Sequence, residues 1–178
     1  MPALFPLDSR LLNSLYEEAK DLEGLETKIA KFWMAFLHRE FPANRDLYIV
    51  QEQNPSDESK RRVDCKVFCW NNQDQETNDI LYVEFKRADL KLADRQEAVN
   101  QVAEYCNLHF KVPPSTKTLT CMVCYGTTVT FWEAKPRLRS RACQPNFEKL
   151  IWYDAKTYYQ AVHPVLKHLR ALAKRFGQ

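Results

Sequence analysis

Arg62-Val-Asp-Cys-Lys-Val-Phe-Cys-Trp70, a polar run from Asn71 to Asp79, and then Ile80-Leu-Tyr-Val-Glu-Phe-Lys86 form the stretch that decides the fold. Two β-rich segments joined by a hydrophilic connection read as an antiparallel hairpin. Strand side chains alternate with period 2. Ile80, Tyr82, Glu84 and Lys86 therefore share one face, and Leu81, Val83 and Phe85 share the other. An apolar strand thus ends with a carboxylate and an ammonium side by side. Asp64, near the start of the preceding strand, falls across from that end. Two carboxylates and a lysine converge there, at a polar strand edge outside the apolar core. Carboxylate oxygens suit a hard divalent cation such as magnesium. A neighbouring lysine can orient a water or offset charge on a phosphate. A Glu-x-Lys on a strand is also a common solvated salt-bridge face, so its neighbours carry the weight.

The chain before the hairpin holds two helical patterns and a strand. Leu7 to Lys20 reads as a first helix, capped by Asp8 or Ser9, with Leu11, Leu12, Leu15 and Tyr16 on one side. Gly24 separates it from a stronger helix, Leu25 to Phe41, which Pro42 ends. Leu25, Ile29, Phe32, Trp33, Phe36 and Leu37 form one broad apolar face there. Glu26 lies on its flank, either as a first-turn acid favoured by the helix dipole or aimed at a cation. Asp46 to Gln53 is a strand, and Asn54-Pro-Ser-Asp57 is turn chemistry. Lys60-Arg61-Arg62 is equally well a solvated loop or a phosphate contact.

After the hairpin, Leu92 to Phe110 is a third helix with Leu92, Gln96, Val99, Val102, Ala103, Cys106 and Phe110 as its inward stripe. Gln101 and Tyr105, at i and i+4, share a neighbouring face. Pro113-Pro114-Ser115 breaks this helix. Thr118 to Tyr125 is apolar enough for a strand covered on both sides, and Gly126-Thr-Thr turns it into Val129 to Glu133. Pro136 to Arg141 is a basic loop, and Leu150 to Tyr153 a short edge strand. The last helix, Ala155 to Phe176, places Tyr158, Val162, Val165, Leu169, Leu172 and Phe176 inward. Its opposite arc carries Lys156, His163, Lys167, Arg170 and Lys174, either a solvated face or a hold on a polyanion.

Asp64 followed by Glu84-Phe85-Lys86 resembles the signature of the PD-(D/E)xK nuclease superfamily, although Val63 stands where that pattern has a proline. The order helix, three strands, helix, strand from Leu25 to Tyr125 resembles the αβββαβ core of that family. The resemblance implies an α/β (α+β) fold, a restriction-endonuclease-like mixed sheet flanked by helices. A nuclease-like core of about residues 25–134 would carry an added N-terminal helix and a C-terminal helix, 155–176, within a single domain. It further implies a metal-dependent nuclease, with DNA favoured over RNA as substrate. Asp64 and Glu84 would ligate Mg²⁺ or Mn²⁺, with the carbonyl of Phe85 as a third ligand and Glu26 joining directly or through water. Lys86 would act on the attacking water and the transition-state charge, while Gln101 and Tyr105 would support Lys86 or the substrate phosphate. The candidate nucleic-acid contacts are Lys60, Arg61, Arg62, Arg137, Arg139, Arg141, Lys167 and Arg170. Members of this family often dimerise, and the sequence leaves the oligomeric state, monomer or homodimer, open. The rival expectation is a catalytically silent module on the same fold, binding nucleic acid or a protein partner.

Composition bounds these readings. A chain of 178 residues is enough for one domain with a substantial core. A net charge of +3 permits nucleic-acid binding without demanding it. No apolar run approaches a membrane span, and Met1 to Asp8 has neither the charged nor the hydrophobic region of a signal peptide. An intracellular protein is expected, in nucleus or cytoplasm. No repeat or low-complexity tract is present. The six cysteines include Cys65-x-x-x-Cys69 and Cys121-x-x-Cys124. On strands the first pair would stand roughly 13 Å apart at ~3.3 Å per residue, and the second would point to opposite faces. Neither suits zinc, so buried reduced thiols are expected. The four histidines lie on helices without mutual metal spacing and receive no catalytic part.

Overall fold

A computed structural model describes residues 9–21, 25–42, 47–53, 62–71, 75–88, 91–111, 118–135, 149–157 and 159–176, without the side chains of Arg170 and residues 172–176. The elements run α1 (Arg10–Lys20), α2 (Glu26–Glu40), β1 (Leu47–Gln53), β2 (Val63–Asn71), β3 (Glu76–Lys86), α3 (Leu92–His109), β4 (Leu119–Tyr125), β5 (Thr128–Ala134), β6 (Tyr153–Asp154) and α4 (Tyr159–Phe176). The chain is thus mixed α and β, with helices flanking one six-stranded sheet in the order β1-β2-β3-β4-β5-β6. β3 and β4 run parallel, connected through α3, and the other neighbours are antiparallel. No described helix is long and apolar enough to cross a membrane.

Side-chain alternation gives the sheet two apolar faces. Cys65, Val67, Leu81, Val83, Phe85, Met122 and Cys124 pack with α1, α2 and α4. Tyr82, Leu119, Cys121 and Val123 pack under Val99, Val102 and Cys106 of α3. Cys121 and Cys124 thus face opposite ways, and both are buried free thiols. The first layer is anchored by Phe32, Trp33 and Phe36, all fully buried, each contributing about 1.5–3 kcal/mol of apolar transfer. Trp33 also donates its indole N–H to the carbonyl of Gly126 at 2.8 Å, which ties α2 to the β4–β5 turn.

Local chemistry sets the helix ends. Ser9 caps α1, its Oγ accepting the N–H of Leu12 at 3.2 Å. Asp94 accepts the N–H of Lys91 at 2.9 Å and so fixes the start of α3. α4 begins at Tyr159 rather than Ala155, because the Asp154 carboxylate takes the N–H groups of Lys156 and Thr157 and holds them in a turn. This start shifts the inward stripe of α4 to Tyr159, Val162, Leu166 and Leu169. His163 leaves the solvated arc for Glu40, 3.3 Å away. The expected edge strand at Leu150 to Tyr153 narrows to Tyr153–Asp154, paired with Val129 and Thr128. Leu25 and Leu92, expected inside, are 64% and 69% exposed, since each sits at a helix start beyond the reach of the sheet. Asp8, the turns at Asn54–Asp57 and Pro113–Ser115, Gly24, Tyr158 and the basic loop at Pro136–Arg141 lie outside the described residues.

The hairpin is longer than its composition indicates. Part of the polar run is strand, with Glu76, Thr77, Asn78 and Asp79 opposite Asn71, Trp70, Cys69 and Phe68. Asp79 is buried because Lys66 Nζ stands 3.1 Å from its Oδ1 and Tyr82 donates to its Oδ2 at 2.9 Å. A bulge between Val67 and Phe68 absorbs the extra residue. It moves Ile80 onto the same face as Leu81, in the α1–α2–α4 core.

Candidate functional site

The geometry of the site begins where β2 and β3 part. Their ladder reaches Cys65 opposite Val83. One step further in the same register, Asp64 falls opposite Glu84. Here the side chain replaces the ladder, as Asp64 Oδ2 accepts the backbone N–H of Phe85 at 2.7 Å. Alternation breaks at the same residue. Val63 belongs to the core under α3, whereas Cys65 and Val67 belong to the core on the other face. The Asp64 carboxylate is thereby held between two strands rather than on either face.

Glu84 and Lys86 continue the α3-facing alternation of Tyr82 to the C-terminal end of β3. Lys86 Nζ lies 2.6 Å from Glu84 Oε1. The expected polar, solvated edge is corrected here, for Glu84 is only 3% exposed. It sits inside the sheet, opposite Val123 of the parallel neighbour β4. Its second oxygen, Oε2, is buried with no hydrogen-bond partner. A buried carboxylate with one unmet oxygen resists ionisation. Burial first, then the charge of Asp64 and more weakly that of Glu26, push Glu84 up to about 7, against the opposing pull of Lys86. Asp64 is also raised, chiefly by burial and in part by Glu52, while its bond to Phe85 and the charge of Lys86 hold it back. For Lys86, burial works downward but is outweighed by Glu84, Asp64 and Glu26, so its ammonium is held above the ordinary lysine value.

Beside Asp64, on the α2 side of the sheet, opens a cavity of about 610 Å³. Its walls include Glu26, Ala30, Lys31 and Met34 of α2, Glu52 of β1, and Phe85. Glu26, exposed at the start of α2, thus shares this cavity with Asp64. Glu52 is the acid that sequence reasoning missed. In the β1–β2 register, Gln51 pairs with Cys65 and Gln53 with Val63, which leaves Glu52 opposite Asp64. Glu52, Asp64 and Glu84 therefore form a row across three adjacent strands. Glu52 also has a positive φ of 48°, a conformation unusual for a side chain with Cβ. An acid in an apolar-polar strand was the one available signal, and only the strand register turns it into a neighbour of Asp64.

The remaining expected residues divide. Gln101 is half-buried, its Oε1 has no partner, and it makes no hydrogen bond to Glu84 or Lys86. Tyr105 is buried in the core under α3. Arg62 reaches the rim of the cavity, where its Nη1 lies 3.4 Å from Glu52. Lys167 is exposed on α4, across the sheet from Glu84 and Lys86. Lys60, Arg61, Arg137, Arg139 and Arg141 lie outside the described residues, as does the side chain of Arg170. Among the described residues no three His, Cys, Asp or Glu side chains stand close enough together to hold a metal ion as they are. A second polar cluster, toward the other end of β3, joins Asp79 and Tyr82 to His109, whose Nδ1 lies 3.0 Å from the tyrosine hydroxyl. Burial lowers His109 despite the facing Asp79, so this cluster ties the end of α3 to the sheet.

No family model matches the chain, and neither a curated protein nor a solved structure shows significant similarity to it.

Proposed function

We propose that this protein is a metal-dependent nuclease of the PD-(D/E)xK type, hydrolysing phosphodiester bonds with DNA favoured over RNA. One observation carries the reading. Asp64 is fixed on the N–H of Phe85, opposite a buried Glu84 with an unmatched oxygen, and Lys86 is already in contact with Glu84. The order α2-β1-β2-β3-α3-β4 supports it, being the αβββαβ order that the resemblance implies.

The donors fit a magnesium or manganese ion in kind. They are hard carboxylate oxygens, and one of them is buried without a partner. Asp64 and Glu84 would hold the ion, with the Phe85 carbonyl and Glu26 completing the set. Such an ion supplies charge neutralisation at the phosphate and a more acidic bound water. The chain's own part is positional. The Phe85 N–H orients Asp64. Lys86, kept protonated by Glu84 and Asp64, stabilises negative charge as it builds on the phosphate. Burial of Glu84 keeps bulk water from screening that charge.

A second reading, a silent module that binds nucleic acid or a protein partner, is favoured by the lack of a ready three-ligand group among the described residues. The two readings separate in one assay. Purified protein is incubated with linear duplex, branched and single-stranded DNA and with RNA, in magnesium and then in manganese. Cleavage by the wild type that Glu84→Gln abolishes supports the nuclease. Tight binding with no cleavage of any substrate supports the silent module.

A further inference from the structure

The parallel pairing of β3 with β4 brings their C-terminal ends together, with Lys86 and Tyr125 as register partners. Alternation sends both side chains to the α3 face, since Tyr82 and Val123 on the same strands lie in the core under α3. Arg95, one turn into α3, extends over this corner. Its guanidinium carbon lies 4.7 Å from the centre of the Tyr125 ring and 5.7 Å from that of Trp152. The two rings stand nearly perpendicular, at 86°, with centres 6.0 Å apart. Two ring faces hold a guanidinium by their negative quadrupoles while leaving its edge donors uncommitted.

Arg95 pairs with no carboxylate among the described residues, and its Nε is buried without an acceptor. Lys86, by contrast, is committed to Glu84. The C-terminal edge of parallel strands is where such sheets take their ligands. The planar fork of a guanidinium matches two phosphate oxygens at once, which an ammonium does not.

We infer that Arg95 is a phosphate-binding residue: propped on Tyr125 and Trp152, it grips a phosphodiester of a nucleic-acid strand beside Lys86. The inference takes its ligand class from the nuclease reading but does not require turnover. A purely mechanical role, stapling α3 to β4 and Trp152, is the alternative to be separated.

The test measures binding of labelled single-stranded and duplex DNA oligonucleotides to the full chain, in metal-free buffer, across a salt series. Arg95→Met should weaken binding about tenfold or more, the loss expected for one charged hydrogen-bonding contact. It should also flatten the slope of log affinity against log salt by about one. Arg95→Lys should recover the slope, having kept the charge, but not the full affinity, having lost the fork. Arg95→Gln repeats the slope measurement if Arg95→Met does not fold. A lowered melting temperature with an unchanged slope would overturn the inference in favour of the staple. A wild type that binds neither DNA form also overturns it. A wild type that binds through Arg95 yet cuts nothing refutes the nuclease reading and leaves this inference standing.

Discussion

Asp64 on β2 takes the backbone N–H of Phe85 on β3 at 2.7 Å, at the step where the two strands stop pairing. The carboxylate therefore serves as part of the sheet as well as part of the site. Asp64→Asn keeps an oxygen for that N–H and should unfold in urea within about 1 kcal/mol of the wild type. Asp64→Ala leaves the N–H unmet and should lose about 1–3 kcal/mol. Both should lose magnesium-dependent cleavage, which separates the structural part of Asp64 from the chemical one.

Glu84 makes stability depend on pH. Its value rises from 4.5 to about 7 on folding, chiefly through burial, so the folded state binds the proton more tightly than the unfolded chain. The resulting stabilisation is full below about 4.5 and is lost as pH climbs to about 7. The unfolding free energy of metal-free wild type should fall across that window, by on the order of 3 kcal/mol in all, read as a falling denaturant midpoint. Glu84→Gln should flatten the profile there and be the more stable protein at pH 8. Magnesium should bind more tightly above pH 7, where the proton no longer competes with it.

Lys86 is the one cation in contact with Glu84 among the described residues. Lys86→Met should raise the Glu84 value further, because its opposing charge is gone, and this shift is readable in the same pH profile. On the nuclease reading, turnover should fall about 100-fold or more, with a smaller change in substrate affinity, because the ammonium would act on charge that develops only in the transition state.

Gly126 holds the end of β4 against the end of β3. Its N–H donates to the carbonyl of Lys86 at 3.1 Å, and its φ of +55° is one that side chains resist. A Cβ there would meet the Cβ of Ala88 at 2.6 Å. Gly126→Ala should cost about 1–3 kcal/mol in thermal or urea melts. It should also reduce turnover through displacement of Lys86, though the site itself is unmutated.

Much of this architecture is legible in the sequence because it is periodic. Alternation in Leu81, Val83 and Phe85 against Tyr82, Glu84 and Lys86 reads directly as a two-faced strand, and the stripe Phe32, Trp33, Phe36 reads as a buried helix face. What is not legible depends on partners far along the chain. Asp79 looks like loop until Lys66 and Tyr82 are seen to neutralise and bond it. Glu84 looks solvated until the pairing with β4 is seen to bury it inside the sheet. Glu52 joins the acids only through the β1–β2 register, and Arg95 reaches Tyr125, the register partner of Lys86, only through the parallel crossover. The start of α4 is not legible either, because the turn at Lys156 and Thr157 is set by the Asp154 carboxylate and leaves no mark in the helical periodicity.

The measurement that bears most directly on the nuclease reading is a crystal structure of the full chain soaked in manganese, with the ion located by its anomalous scattering. The account predicts one ion bridging the Asp64 and Glu84 carboxylates at about 2.0–2.6 Å from an oxygen of each, with the Lys86–Glu84 contact opened to admit it. The same peak should vanish in Asp64→Asn crystals. Saturating manganese that leaves Glu84 closed on Lys86, with no ion between the two acids, would contradict it.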